Sequence, residues 1–105
     1  MNKQECCKDC QYRMRKTPRE AQEKRKMQNR LSRIEGQIKG IMTMLEEDRY
    51  CGDILNQVVA AEKGLRAFGS ELAKSHFYSC VIPDIAEGSE ELANEFIVLF
   101  EQLSR

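Results

Sequence analysis

His76 and Cys80 stand four residues apart, and His76 is the only histidine in the chain. On a helix that spacing puts both side chains on one face. Cys51 lies 25 residues before His76. One continuous helix would separate Cys51 from His76 by roughly 37 Å along its axis. A single protomer could not close a site with all three side chains. An antiparallel partner could, by laying the start of its own helix beside the end of the first. Two thiolates and an imidazole form a soft three-ligand set that favours Cu(I), with Zn(II) also admissible. The bland reading makes Cys51 and Cys80 small buried hydrophobes and His76 a satisfied core histidine. Spacing alone weighs the two about evenly.

The remaining thiols, Cys6, Cys7 and Cys10, form a C-C-x-x-C cluster. They could take a second soft metal, capture Cu(I) first or react with sulfur species. Spectator thiols are the competing reading. Five cysteines are an odd number with no paired framework, which suits a reduced compartment and metal or redox chemistry.

The elements that must position these groups are helical. Thr17-Pro18-Arg19-Glu20 has the pattern of a capping box with Pro at the first helical position. Met27, Leu31, Ile34, Ile38, Ile41 and Leu45 follow at alternating spacings of four and three, a heptad stripe that packs on another helix. Met42 and Met44 read as core or interface residues. Asp48 reads as a cap for the next helix. That second helix is expected from about Tyr50 to Cys80, with Ile54, Val58, Ala61, Leu65, Phe68 and Leu72 continuing into His76 and Cys80. Pro83 should end it, leaving a loop over 83–88. A third helix should begin near Ser89 and bury Leu92, Phe96, Leu99 and Leu103. No strand pattern or repeat is seen. Residues 1–16 lack periodicity and read as a mobile basic arm; 17–105 read as one helical domain. The expected fold class is all-α.

Composition narrows the function. A helical chain of 105 residues has little core of its own, so association should help stabilise it. No apolar run approaches a membrane span, and the polar N-terminus lacks a signal-peptide core, which points to the cytoplasm. The net charge of zero hides a split: residues 1–40 carry 12 Lys/Arg and 5 Asp/Glu, and the remainder carries 5 and 12. Such polarity points to a polyanion for the basic half, with a solvated helix face as the alternative. Lys24, Arg25, Arg30 and Arg33 on the first helix are the candidate contacts. No nucleophile–base pair, carboxylate dyad or phosphate loop supports an enzyme.

The run Arg30-Leu31-Ser32-Arg33-Ile34-Glu35-Gly36-Gln37-Ile38-Lys39-Gly40-Ile41 resembles the first-helix signature of the bacterial CsoR/RcnR repressors. Glu47 to Gln57 resembles the start of their second helix, and the likeness covers about residues 25–103. It implies three-helix protomers, antiparallel dimers that pair into tetramers, and operator DNA released on effector binding. Cys51, His76 and Cys80 match the copper-sensing branch. The nickel or cobalt branch needs more histidines, the formaldehyde branch lacks the second helix-2 cysteine, and the persulfide branch lacks the histidine. The resemblance gives Tyr50 and Glu95 a role beside the metal-bound imidazole, and Arg30 a DNA contact. Ala67 departs from copper sensors that carry a second basic residue there. The expected function is therefore a Cu(I)-responsive repressor. The alternatives are a thiol or persulfide sensor of the same fold and a copper-buffering bundle. The basic half argues against the buffer, and the histidine against the pure thiol switch.

Overall fold

The structure is a computed structural model that describes Arg15 and residues 18–105. The expected arm, with Cys6, Cys7 and Cys10, and Thr17 of the capping box therefore lie outside the described residues apart from Arg15. The described residues form four α-helices: α1 (Ala21–Glu46), α2 (Cys51–His76), α3 (Ile82–Ala86) and α4 (Glu91–Leu103). Among them there is no strand, so the all-α expectation holds. Glu20 to Gly69 make one compact unit, and Ser70 to Arg105 belong to a second.

In the first unit α1 starts later than its capping pattern implies. Pro18 and Arg19 precede the helix, and Glu20 is the N-cap with extended backbone. The Lys24 N–H donates to the Glu20 carbonyl at 2.9 Å. At its other end α1 closes in a Schellman turn. The Arg49 N–H donates to the Met44 carbonyl (3.0 Å) and the Asp48 N–H to the Leu45 carbonyl (3.2 Å). Asp48 adopts φ 55° to make this turn. It thus terminates α1 and does not cap α2, correcting the expectation. Short polar residues tolerate the left-handed region better than most, which is why Asp serves there.

The heptad stripe of α1 is split by burial. Met27 and Ile34 are buried and Ile41 half-buried. Leu31, Ile38 and Leu45, the alternate members, are 40%, 50% and 67% exposed. The stripe of α2 divides in the same way: Ile54, Ala61 and Phe68 are half-buried, while Val58 and Leu65 are exposed. The two helices meet at Ile34 and Gly64. A Cβ on Gly64 would come 3.3 Å from Ile34 Cγ1, so glycine permits the close approach of α1 and α2. Up to Phe68, alternate members of each stripe are buried or half-buried, and the others are exposed.

The second unit corrects the reading of Pro83. Helical backbone continues past His76 through a π-turn, Phe77–Val81, into α3. The Ile82 N–H donates to the Phe77 carbonyl, five residues back. Pro83 then falls in the first turn of α3, where its missing N–H costs little. The widened turn displaces the carbonyls that a proline ring would otherwise meet. Residues 82–86 are consequently helix, in place of the expected loop over 83–88. The chain turns at Gly88, φ 91°, in a second Schellman arrangement: Gly88 N–H to Ile85 carbonyl (2.9 Å), Ser89 N–H to Asp84 carbonyl (3.1 Å). Ser89 Oγ accepts from the Glu91 N–H (3.3 Å) and Asp84 Oδ2 from the Leu92 N–H (3.3 Å). These bonds satisfy the first turn of α4. A Cβ at residue 88 would be strained by about 1–2 kcal/mol. Gly88→Ala should therefore lower the thermal midpoint by roughly 5 °C; a melt within about 1 °C of wild type would show that the turn adjusts freely.

The core of this unit comprises Cys80, Val81 and Leu92, with Phe77, Ala93 and Phe96 against it. Phe96 and Leu103 are half-buried as part of the α4 stripe, but Leu99 is 50% exposed and does not join the core.

Candidate metal centre

α2 holds Cys51 at its first residue and His76 at its last, 26 residues in all. The helix is unbroken between them, so its rise alone keeps the two side chains apart by roughly 37 Å. Cys51 is exposed with a free thiol. Tyr50, just before it, is the residue on which α2 starts: its carbonyl accepts from the Asp53 (3.0 Å) and Ile54 (3.2 Å) N–H groups. The Tyr50 ring is 75% exposed. It lies over Gly52, where a Cβ would stand 2.6 Å from Tyr50 Cε2.

At the far end His76 is half-buried and Cys80 follows within the π-turn. Cys80 is 5% exposed, beside Val81 at 1%. The His76 imidazole stacks on Phe96 of α4 with centroids 6.2 Å apart and planes inclined by 28°. Glu95, which precedes Phe96 on α4, is half-buried. α4 thus supplies the surroundings of His76 and Cys80, which helical spacing alone does not reveal. Among the described residues no three His, Cys, Asp or Glu side chains gather into a metal site. Within one chain the structure brings His76 and Cys80 to one turn and leaves Cys51 at the opposite end of its helix.

The donors suit a soft ion. A partly enclosed imidazole and a thiol within apolar walls give few hard oxygen ligands and little water, as Cu(I) prefers.

Lys24, Arg25, Arg30 and Arg33 are all exposed on α1, but they do not form one strip. At about 100° per residue, Arg30 and Arg33 fall within roughly 60° of arc together with Lys26. Lys24 and Arg25 lie on another side of the helix, with Lys39. Lys26, exposed as well, is missing from the sequence-based set although the helical period places it with Arg30.

Residues 23–102 match the family model described as metal-sensitive transcriptional repressor. The copper-sensing transcriptional repressor CsoR of Bacillus subtilis is 38% identical over 86 residues, 81% of this chain and 85% of that protein. The copper-sensing transcriptional repressor RicR of Mycobacterium tuberculosis is 43% identical over 67 residues, 64% and 70% of the two chains. Among solved structures, the copper-sensing repressor CsoR with Cu(I) from Geobacillus thermodenitrificans superposes with a TM-score of 0.78 at 39% identity, covering 85% of this chain and 94% of that one. With its all-helical architecture and the match over 23–102, the chain belongs to the family of metal-sensitive transcriptional repressors.

Proposed function

We propose that the protein is a Cu(I)-responsive repressor that binds operator DNA when metal-free and leaves it when Cu(I) binds. The observation that carries this reading is the helix that bears Cys51 at one end and the His76–Cys80 pair at the other. One Cu(I) per protomer would be held by His76 and Cys80 of one chain and Cys51 of its partner. The partner is a second copy, arranged antiparallel and assembled further into a tetramer. The outward halves of the α1 and α2 stripes, Leu31, Ile38, Leu45, Val58 and Leu65, support such a partner, because a hairpin of this size gains much from covering them. Among the described residues no helix is long and apolar enough to cross a membrane, and a repressor of operator DNA would act in the cytoplasm. A catalytic role is not part of this reading.

When bound, Cu(I) would supply a positive charge and bonds that draw Cys51, His76 and Cys80 together. This chain's residues do the rest. His76, once a ligand, retains one ring N–H to donate, with Glu95 or Tyr50 as acceptors. Tyr50 arrives beside Cys51 because the two are adjacent in sequence. Linkage then requires that a protein binding copper more tightly off DNA binds DNA more weakly with copper. The enclosure of Cys80 by apolar residues disfavours a switch based on reaction at this thiol, since reactive cysteines sit in exposed, electropositive settings.

Anaerobic Cu(I) titration of the protein on DNA from its own promoter tests the reading. Release is expected at one Cu(I) per protomer. Release by a persulfide donor or by Ni(II), with none by Cu(I), would replace it. The DNA face is proposed on Arg30 and Arg33 with Lys26 added, and Lys24 and Arg25, on another side of α1, are proposed as further contacts. Removing a single phosphate-binding side chain should reduce the slope of log affinity against log salt by about one unit. Arg30→Ala and Lys26→Ala should each do so. Unchanged affinity and slope in both would remove this part of α1 from the interface.

A further inference from the structure

Phe96 meets three other rings of the second unit. It stacks on His76 (6.2 Å, 28°), packs at 47° on Phe77 (5.4 Å) and stacks on Phe100 (5.9 Å, 23°). It is half-buried and borders the core of Cys80, Val81 and Leu92. His76 ends α2, just before the backbone widens into the π-turn. Such turns recur at functional sites and displace side chains from the regular helical register. At that point the imidazole needs something besides its own helix to fix its plane. A ligand ring must be held within about 10–20° of its productive orientation. A flat neighbour at stacking distance restricts rotation about the Cβ–Cγ bond, which is otherwise broad for histidine.

We infer that Phe96 is a positioning residue for the metal centre: its stacked ring sets the plane of the His76 imidazole and joins α4 to the ligand-bearing turn. This rests on the reading of His76 as a ligand. Phe96 does not touch the metal. It acts through His76, and it sits one residue after Glu95, so a change in the imidazole is passed to the helix that carries an acceptor for its N–H. Phe100 belongs to the same aromatic row but stacks on Phe96, one ring further along. It therefore serves as the control for general loss of packing.

Two measurements on the full-length protein separate the possibilities. Because His76 is the only histidine, its ring protons are assigned in the NMR spectrum without ambiguity. In metal-free wild type they should show an upfield ring-current displacement, abolished in Phe96→Leu and kept in Phe96→Tyr and Phe100→Leu. With one Cu(I) per protomer, X-ray absorption of Phe96→Leu should show the sulfur ligands with a weakened or absent nitrogen shell. Copper-driven loss of DNA affinity should fall by about 10-fold or more, in the range of outer-sphere changes at metal sites. Phe96→Tyr should recover it and Phe100→Leu should retain it. Phe96→Met, which fills the volume without a flat face, replaces Phe96→Leu should the latter fail to fold. A wild-type nitrogen shell and full release in Phe96→Leu or Phe96→Met would overturn the inference, as would equal losses in Phe100→Leu. Wild type that binds copper with no nitrogen at all would overturn the ligand reading of His76 instead. In that case the metal-free NMR result still decides whether Phe96 orients the ring.

Discussion

His76→Ala is expected to bind Cu(I) well and yet remain on DNA. The two thiolates, Cys51 and Cys80, are the softer donors, and a two-thiolate site suits Cu(I). What the variant lacks is the one ligand that can pass on the fact of binding. A thiolate bound to copper has no proton left to donate. A bound imidazole has a ring N–H and a plane, and in the proposed mechanism both are held by α4 through Glu95 and Phe96. Coupling between two sites is commonly about 1–3 kcal/mol. If wild type loses about 30-fold or more in DNA affinity on binding copper, His76→Ala should lose less than about 3-fold. DNA affinity with and without stoichiometric Cu(I) reads this directly, with a chelator competition to establish that the metal is bound. Full release of His76→Ala by copper would reduce His76 to a ligand like any other.

The contrast between ligand and lever also marks what can be read in the residues. The spacing of Cys51, His76 and Cys80 is legible because helical geometry is local: four residues make one face and 25 residues make a long separation whatever surrounds them. The stripes are legible for the same reason. Their division is not. Ile34 and Ile38 look alike in a heptad, yet Ile34, against Gly64 of α2, is buried and Ile38 is open. Gly64, beside Ile34, is the residue that could fix the choice, since glycine within a helix face marks close approach.

Three local departures share a cause. Proline stops a helix by rule, but the π-turn upstream places Pro83 in a first turn, where it is tolerated. Asp48 has cap chemistry at either end of a connection, and the Schellman bonds at Met44 and Leu45 decide for the C-terminal end. Leu99 follows the α4 period yet stands half-exposed, because the core of Cys80, Val81 and Leu92 is smaller than the stripe. In each case the neighbours, and not the residue, set the outcome. The stack of Phe96 on His76 lies beyond any local rule: twenty residues and two turns of chain separate them.

Mixing Cys51→Ala protein with Cys80→Ala protein should restore copper binding that neither has alone. The expectation follows from α2 itself. With Cys51 and His76 at opposite ends of a 26-residue helix, a three-ligand site must draw Cys51 from another copy. In an antiparallel two-fold pair the two sites are related by symmetry, so each contains one chain's Cys51 and the other's His76 and Cys80. A mixed dimer then has one site with all three ligands and one lacking both thiolates. Random exchange of equal amounts gives mixed dimers in about half the population, so roughly one protomer in four should hold Cu(I) against a chelator. Each variant alone should hold almost none, since loss of a thiolate ligand exceeds the roughly 10–100-fold cost typical of outer-sphere changes. Were all three ligands to come from one chain, mixing would restore nothing, because every chain lacks a cysteine. Recovery near one quarter, with the nitrogen shell in X-ray absorption lost when His76→Ala is added to the Cys51→Ala partner and kept when it is added to the Cys80→Ala partner, would place the imidazole and Cys80 on one protomer and Cys51 on the other. No recovery after verified subunit exchange would require a site that closes without the partner's helix, and the antiparallel arrangement would fall with it.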